Sequence, residues 1–377
     1  MSLTILYSQQ IADNPSKALR VIEPLRRLAA LGAVTPVALE ELLPPGAPFD
    51  PSRLPALDLV FLHLVDMNTQ TAPTLEPLLS HVLSRGTALV CDTDDPYFIP
   101  ADAGDFEQTI APHLPHMRKL CALAHVLTVT TDTLKREMQA HARNVVVVPN
   151  LVDPNAWPQR AGGGTRVRVG FSGGPTHMHD LTLFLPAMRL LQQRHDVDCV
   201  LYGLFDRNIA ATAARARALA PALRAENPQL DAFGHLADAL EGVRYEHHPS
   251  TPYAAFPETL AALNLDIGVC PLHDTRFSRC RSAVKFYQYA AAGTLCVASD
   301  LAPYQGECNL LVSGGPEAWA AALVPLLDDA ELRAQHLAAQ RAFVARHRSY
   351  DAGLPLYLHL FSRLAAATRG AGAPRPA

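Results

Sequence analysis

The stretch RFSRCRSAVKFYQYAAAGTLCVASDLAPY, residues 276–304, is the most informative part of this sequence. It begins with four cationic side chains on a short segment that leads into a helix of small residues: Arg276, Arg279, Arg281 and Lys285. Gly293 ends that helix, and the apolar strand Leu295–Ala298 follows it. Cations and hydroxyls beside a helix N-terminus suit a phosphate, so the stretch predicts an anionic, nucleotide-linked ligand. An amphipathic helix with a solvated basic face is the alternative interpretation.

Length and composition predict a globular protein of two domains. A chain of 377 residues exceeds what one hydrophobic core usually serves. Hydrophobic residues make up 49% of the sequence and charged residues 18%, which argues against disorder. The net charge of -4 gives no electrostatic footprint for nucleic acid as a main partner, so any cationic site must be local.

Cysteine usage and the N-terminal residues predict a soluble, cytoplasmic protein. The 7 cysteines are scattered without a CxxC pair, as expected in a reducing compartment. The first residues, MSLTILYSQQ, lack the basic region and the apolar core of a signal peptide. No apolar run approaches the roughly 20 residues that span a bilayer, which leaves only peripheral membrane contact open.

The order of apolar runs and helical segments divides the chain into two α/β halves. Residues 1–153 predict a first doubly wound domain, 154–165 a linker rich in Pro and Gly, and 166–345 a second such domain. Residues 346–377 predict a C-terminal helix, expected to cross back to the first domain, and a flexible tail. The Ala-rich stretch 207–240 predicts a helical insertion. Because ligands of such sheets bind at the carboxyl ends of the strands, the cleft between the domains is the predicted site.

A glycine-rich loop, FSGGPTHMHD at residues 171–180, lies between a predicted strand and a predicted helix. Gly173 and Gly174 permit close approach of a ligand to the backbone, whose amides suit a diphosphate. A simple turn in which Asp180 or Thr176 caps the helix is the alternative. His177, His179 and Asp180 match no standard spacing of metal ligands, so no metal site is predicted.

Three carboxylates follow another predicted strand in VCDTDDPYF, residues 90–98. Asp92, Asp94 and Asp95 can act as bases, bind sugar hydroxyls or hold a cation. A functional role is favoured because three acids in four residues are costly unless something offsets their repulsion. A turn before Pro96 is the alternative. Two further candidates are His63 at a strand end, which can equally be a structural histidine, and Arg20 in the first helix, which can equally be a surface arginine.

Together these segments resemble the retaining glycosyltransferases built from two Rossmann-like domains (the GT-B type), and specifically their family 4-like group. The resemblance spans most of residues 1–350. VVVVPNLVD (145–153) looks like the "IPNGVD" segment that closes the first domain, and FSGGPTHMHDL (171–181) looks like the loop "SGSPTH..DL". RSAVKFYQYAAAGTLCVAS (281–299) is similar to "KS.IKFLEYAALG.PVVAS", and CDTDDPYF (91–98) to the acidic segment "DIDDDLF".

The resemblance implies a GT-B fold and transfer of a sugar from a nucleoside-diphosphate sugar, with retention and without a metal or a further cofactor. It implies that Arg281 and Lys285 neutralise the donor diphosphate, with the amides of the glycine loop on its other side. It further implies that Ser282 bonds a phosphate or a sugar hydroxyl. Asp94 is the leading catalytic candidate, with Asp92, Asp95 and His63 behind it. Two residues are candidates for other donor or acceptor contacts: His177 and Arg20.

One departure from the family pattern bears on activity. Gln288 stands where the pattern has a glutamate that binds the nucleotide ribose, so it is the candidate ribose-binding residue. Its amide can still accept and donate hydrogen bonds, but it loses the charge-assisted contact. The earlier glutamate of that pair has no counterpart, because its position falls at Cys280. A catalytically silent subunit that stabilises or targets a partner is therefore the alternative function, and a nucleotide-sugar epimerase is a lesser one. The acceptor stays open among glycans, lipid-linked sugars, proteins and small molecules.

Overall fold

The structure is a computed structural model that describes residues 2–9, 14–43, 49–99, 110–204, 209–219 and 228–371. Two six-stranded sheets, in which every pair of neighbouring strands is parallel, organise these residues. The predicted fold class is thereby confirmed as two Rossmann-like units with helices on both faces of each sheet.

The first sheet has the order β2-β1-β3-β4-β5-β6. Its strands are β1 (Leu3–Tyr7), β2 (Val34–Ala38), β3 (Leu59–His63), β4 (Ala88–Thr93), β5 (Val126–Val129) and β6 (Val145–Val147). β3 and β4 are buried along their whole length, as expected for central strands covered on both faces. Their parallel register places His63 beside Asp92 at the carboxyl end of the sheet.

The second sheet has the order β12-β11-β10-β7-β8-β9. Its strands are β7 (Val167–Ser172), β8 (Val197–Tyr202), β9 (Tyr245–His248), β10 (Ile267–Cys270), β11 (Leu295–Ser299) and β12 (Leu311–Val312). The strand order reverses next to β7 and β10, and ligands of doubly wound sheets bind at such a switch point. The glycine-rich loop follows β7.

Helices cover both sheets. Those of the first unit are Pro15–Lys17, the π-helical Ala18–Ile22, Glu23–Ala30, Leu39–Leu42, Ala72–Ser84, Leu114–Leu123 and Asp132–Met138. Those that follow are Leu181–Gln192, Ile209–Ala218, Pro228–Leu240, Phe256–Ala262, Arg276–Cys280, Val284–Ala291, Pro316–Asp328, Ala330–His347 and Tyr350–Ala371. Within the described ranges, no helix is both long enough and apolar enough to cross a membrane.

The predicted Ala-rich insertion contains two helices, Ile209–Ala218 and Pro228–Leu240, which pack against each other. Its residues 207–208 and 220–227 lie outside the described residues, as do residues 372–377 of the predicted C-terminal tail.

The last helix, Tyr350–Ala371, returns to the first unit, as expected. Tyr357 and Phe361 are buried there against Phe61 of β3, with ring centroids 6.2 and 5.2 Å from the Phe61 ring. The chain therefore passes between the units twice, and Val152 and Ser349 form a parallel bridge where the two passages run side by side.

Candidate functional site

A cleft of about 500 Å³ lies between the carboxyl ends of the two sheets. From the first unit it is lined by Pro15, Ser16, Leu19, Asp94 and Asp95. From the second unit it is lined by Ser172, Gly173, Gly174, Thr176, His177, Tyr202, Gly203, Ser250, Thr251, Pro252, Tyr253, Phe256, Arg281, Ser282, Val284, Lys285, Gln288 and Tyr304. Nine of the twelve sequence-predicted site residues are among these lining residues. The other three, His63, Asp92 and Arg20, lie behind the wall of the first unit.

The cationic wall of the cleft comes from the segment that joins two short helices. Arg281 follows the helix Arg276–Cys280 in an extended conformation, and Lys285 lies in the first turn of the helix Val284–Ala291. The Lys285 Nζ lies 4.5 Å from the centroid of the Phe171 ring. Within the described part of the chain, neither this Nζ nor the Arg281 Nε has a hydrogen-bond partner. Because a buried donor without a partner is costly, these two nitrogens on positively chargeable side chains favour a ligand with acceptor oxygens, such as an anion.

Burial governs the protonation of Lys285. It lowers the pKa of the ammonium to about 7, and the charge of Arg281 acts in the same direction. An anion in the cleft would oppose both effects, because an opposite charge within a few ångströms favours the charged form of a lysine.

The glycine loop is shaped around this lysine. A β-carbon added to Gly173 would lie 2.5 Å from the Lys285 Nζ and 2.8 Å from a carbon of the Phe171 ring, so only glycine leaves room for both. The amide of Gly173 donates to the carbonyl of Tyr202 at 3.0 Å. The prediction that this amide serves a ligand is therefore wrong in its detail, and Gly173 contributes close approach instead. Gly174 begins the 3-10 turn Pro175–His177, and a β-carbon there would meet nothing within 4 Å.

His177 holds Arg281 in place. Its Nε2 faces a terminal nitrogen of Arg281 at 2.5 Å, and its Nδ1 faces the carboxylate of Asp180 at 2.9 Å. Burial, together with the charges of Arg281 and Lys285, lowers the pKa of His177 to about 3. The ring is therefore neutral near pH 7, with Nδ1–H donating to Asp180 and Nε2 accepting from the arginine, which can only donate.

Two other histidines near the loop contact each other. His179 stacks on His273 with ring centroids 4.1 Å apart. No cluster of three or more His, Cys, Asp or Glu side chains suited to a metal ion occurs in the ranges that the structure describes.

The acidic wall faces the cleft from the end of β4. The Oδ1 of Asp94 lies 3.4 Å from the Nε2 of His63, and the hydroxyl of Ser16 hydrogen-bonds the same carboxyl group. Burial would raise the pKa of Asp94, but His63 and Ser16 more than offset it and keep the pKa below its usual value. Burial and the charge of Asp94 raise the pKa of Asp95 to about 6. One carboxylate is thus firmly ionised beside another that titrates close to neutrality.

His63 is fully buried beneath Asp94. The Nδ1 of His63 accepts from the amide of Val65 at 3.3 Å, which leaves the proton on Nε2. The Nε2 lies 3.4 Å from the Oδ1 of Asp94, and within the described residues neither atom forms a hydrogen bond. Burial lowers the pKa of His63, but the carboxylates of Asp94, Asp92 and Asp66 outweigh that effect and raise the pKa overall.

Arg20 and Asp92 bind each other rather than the cleft. The Nε of Arg20 donates to one carboxylate oxygen of Asp92 at 2.9 Å and a terminal nitrogen donates to the other at 2.7 Å. Both side chains are fully buried. A second buried pair, Lys17 with Asp66 at 2.5 Å, lies nearby, and sequence reasoning missed it. Its signal was the pair of cations three residues apart, Lys17 and Arg20, in a segment whose neighbouring residues, Leu19 and Val21, are apolar.

Gln288 is buried at the cleft and hydrogen-bonds the hydroxyl of Tyr253. Burial raises the pKa of Tyr253, so its phenol stays protonated at neutral pH. Tyr253 stacks on Phe256, which stacks in turn on Tyr202, with centroid distances of 6.0 and 5.8 Å. Tyr253 was not anticipated, because the segment STPY after β9 carries no pattern that marks it as part of a site.

No protein-family model and no curated protein matches this chain. Solved structures do match. A glycosyltransferase from Rickettsia africae superposes with a TM-score of 0.60 at 12% identity, over 96% of this chain and 98% of that chain. The α,α-trehalose-phosphate synthase (UDP-forming) from Burkholderia vietnamiensis gives 0.59 at 14% identity, over 97% and 100%. An α-glucosyltransferase in complex with UDP and a 13-mer DNA gives 0.63 at 11%, over 96% and 100%.

The chain has the GT-B fold. At identities of 10–15% these similarities establish the architecture and leave the chemistry to be argued from the site. In this GT-B cleft the cationic wall belongs to the second unit and the acidic wall to the first. A ligand that bridges the walls would therefore present its anionic part to Lys285 and its neutral part to Asp94.

Proposed function

We propose that this protein is a glycosyltransferase that moves a sugar from a nucleoside-diphosphate sugar to an acceptor, with retention of configuration and without a metal. The observation that carries the proposal is the pair of unpartnered buried cationic atoms, Lys285 Nζ and Arg281 Nε, opposite the ionised Asp94. A ligand with an anionic part at one end and hydroxyl groups at the other would satisfy both walls.

The cationic wall suits a departing diphosphate. Negative charge develops on the diphosphate as the bond from the sugar C1 to its phosphate oxygen breaks, and the bonding electron pair leaves with it. Positive groups fixed before the reaction stabilise that charge without reorganisation. Lys285 and Arg281 thus supply the charge that a divalent cation supplies elsewhere.

The acidic wall suits the sugar and the acceptor. Asp94, ionised beside His63, can accept a hydrogen bond from a sugar hydroxyl or stabilise positive charge that develops at C1. A new bond forms between C1 and the acceptor oxygen, and the proton of the acceptor hydroxyl passes to the departing diphosphate. Asp95, which titrates near pH 6, is the second carboxyl group within the cleft.

Gln288 supports a second candidate function. A catalytically silent member of this fold could keep the nucleotide-sized cleft while losing charge at the ribose position, and Gln288 pairs with Tyr253 rather than with a cation. Such a subunit would stabilise or target a partner enzyme. Nucleotide binding without hydrolysis or transfer would favour this function.

Calorimetric titration with nucleoside diphosphates tests the proposal, and UDP is the first probe because it occurs in neighbours of the same fold. Arg281→Glu should weaken UDP binding at least tenfold, because it reverses a charge on the cationic wall. Arg279→Glu is the matched control, since Arg279 is exposed and paired with Asp274. Equal affinity in the wild type and Arg281→Glu would contradict the phosphate assignment. Release of UDP from UDP-sugars then separates the active enzyme from the silent subunit.

A further inference from the structure

Asn150 connects the two units behind the cleft. It lies just after β6, at the point where the chain leaves the first unit, and only 2% of its surface is exposed. Its amide Nδ2 donates to the hydroxyl oxygen of Ser282 at 2.8 Å. Ser282 lines the cleft between Arg281 and Lys285, so Asn150 reaches the cationic wall from the opposite unit.

Arg20 fixes the orientation of the Asn150 amide. A terminal nitrogen of Arg20 donates to the Oδ1 of Asn150 at 3.3 Å and to the carbonyl of Val148 at 2.6 Å. A guanidinium has no acceptor, so Asn150 must turn its oxygen to Arg20 and its NH₂ group to Ser282. Arg20 cannot move away, because Asp92 holds its other nitrogens.

The direction of these bonds determines what Ser282 can do. A hydroxyl has one hydrogen to donate and lone pairs to accept with. Because the Ser282 oxygen accepts from Asn150, its own hydrogen is left for another acceptor, and no bond to one is found among the described residues. Ser282 therefore presents a donor to the cleft, beside two cations.

We infer that Asn150 is a positioning residue that makes Ser282 a hydrogen-bond donor to a ligand oxygen, and that Arg20 imposes this direction from inside the first domain. The inference rests on the proposed function, and it identifies that oxygen as one of the diphosphate. Arg20, which does not reach the cleft, thereby acts on the ligand through Asn150 and Ser282.

Asn150→Asp tests the direction of the bond. The carboxylate keeps the size of the asparagine and accepts from Arg20, but it also accepts from Ser282 and turns the hydroxyl hydrogen away from the ligand. We expect UDP affinity to fall about tenfold, as for Ser282→Ala, while the ligand-free protein melts no lower than the wild type. Unchanged UDP affinity in Asn150→Asp would overturn the inference.

A double variant separates this effect from repulsion by the new charge. In a Ser282→Ala background the direction of the bond no longer matters, so Asn150→Asp should cause no further loss of UDP affinity. If the two losses add, simple repulsion explains the first result and the inference fails. Glu137→Gln is the control for contacts between the units, because it removes the exposed pair with Arg276; UDP affinity should change less than about twofold.

A measurement without ligand keeps this inference apart from the proposed function. The unfolding free energies of Asn150→Leu, Ser282→Ala and the double variant report whether the two side chains interact. If the losses of unfolding free energy in the two single variants simply add in the double variant, the two side chains do not interact, whatever the protein binds. The other outcome is a wild type that binds neither UDP nor pyrophosphate although Asn150 and Ser282 show a clear coupling energy. That result would refute the proposed function and the role of Ser282 toward a ligand, but it would confirm the contact between Asn150 and Ser282.

Discussion

Gly173 and Lys285 occupy complementary space: a β-carbon on Gly173 would lie 2.5 Å from the Lys285 Nζ, far inside van der Waals contact. The lysine therefore reaches the cleft across the surface of the glycine, and its Nζ rests 4.5 Å from the Phe171 centroid. The lack of a side chain at Gly173, in the loop after β7, is thus as important to the cationic wall as Lys285 itself.

Gly173→Ala should displace the Lys285 side chain. We expect UDP affinity to fall about tenfold or more, because the cation no longer lies at the proposed diphosphate site. Thermal unfolding of the ligand-free protein should also shift downward, since the added methyl overpacks a filled region. Gly174→Ala places the same atom in open space and should leave the melting temperature unchanged. A Gly173→Ala protein that binds UDP normally would show that Lys285 is not needed for the ligand.

Binding of a diphosphate should draw a proton onto Lys285. Burial lowers the pKa of the free ammonium to about 7, so at pH 8 most molecules carry the neutral amine, and an anion beside it raises that pKa again. Titration calorimetry at pH 8 in buffers of different ionisation enthalpy should show uptake of nearly one proton, and affinity should fall as the pH rises above 7.

The control for this prediction is Lys285→Met, which should abolish the proton uptake while any contribution from the ligand itself remains. A wild-type uptake of zero at pH 8 would mean that Lys285 is already charged, or that it does not meet the anion.

His177→Phe should weaken UDP binding without any change in the charge of the cleft. The ring of His177 is neutral because its pKa is lowered to about 3, and its role is to accept from Arg281 at 2.5 Å. We expect a loss of about five- to tenfold in affinity, and a smaller loss in His177→Gln, whose amide oxygen still accepts.

The pH profile distinguishes this role from that of a charged histidine. Between pH 5 and 8 the ratio of wild-type to His177→Gln affinity should stay constant, since His177 does not titrate there. A ratio that changes near pH 6.5 would contradict the neutral state of His177.

Asp94→Asn should separate catalysis from binding. The amide keeps the shape of the carboxylate but loses the charge that, in the proposed function, faces the sugar. We therefore expect transfer to slow at least 100-fold with UDP affinity within about threefold of wild type. Asp196→Asn, a neutralised aspartate with 67% of its side chain exposed, is the control. Retention of the full transfer rate would remove Asp94 from the mechanism.

The sequence predicted the fold well because buried parallel strands are continuous apolar runs, such as those at Leu59–His63 and Ala88–Thr93. The cations were also recognisable, because Arg281 and Lys285 lie close together in one segment. Asp92 and Asp94 could not be separated in advance: two residues apart on one strand end, one is buried with Arg20 and the other faces the cleft.

Long-range hydrogen bonds were beyond any local pattern. Asn150 bonds Ser282 across 132 residues of chain, and Arg281 meets His177 across 104. Neither partner's identity follows from spacing or periodicity, because both pairs depend on how the two sheets are placed. The segment VVVVPNLVD therefore identified the end of the first domain without indicating the task of its asparagine.

The helix Tyr350–Ala371 follows both sheets in the chain, yet Tyr357 and Phe361 fill the core of the first unit. Until the ribosome has released this helix, Phe61 and the surrounding face of β3 lack their cover. A protein cut at the linker would leave the amino-terminal half with an exposed apolar surface. Adding residues 350–371 as a separate peptide should cover that surface again and restore the stability of this half. The first unit and the helix Tyr350–Ala371 thus depend on each other for folding, although the whole second sheet lies between them in the sequence.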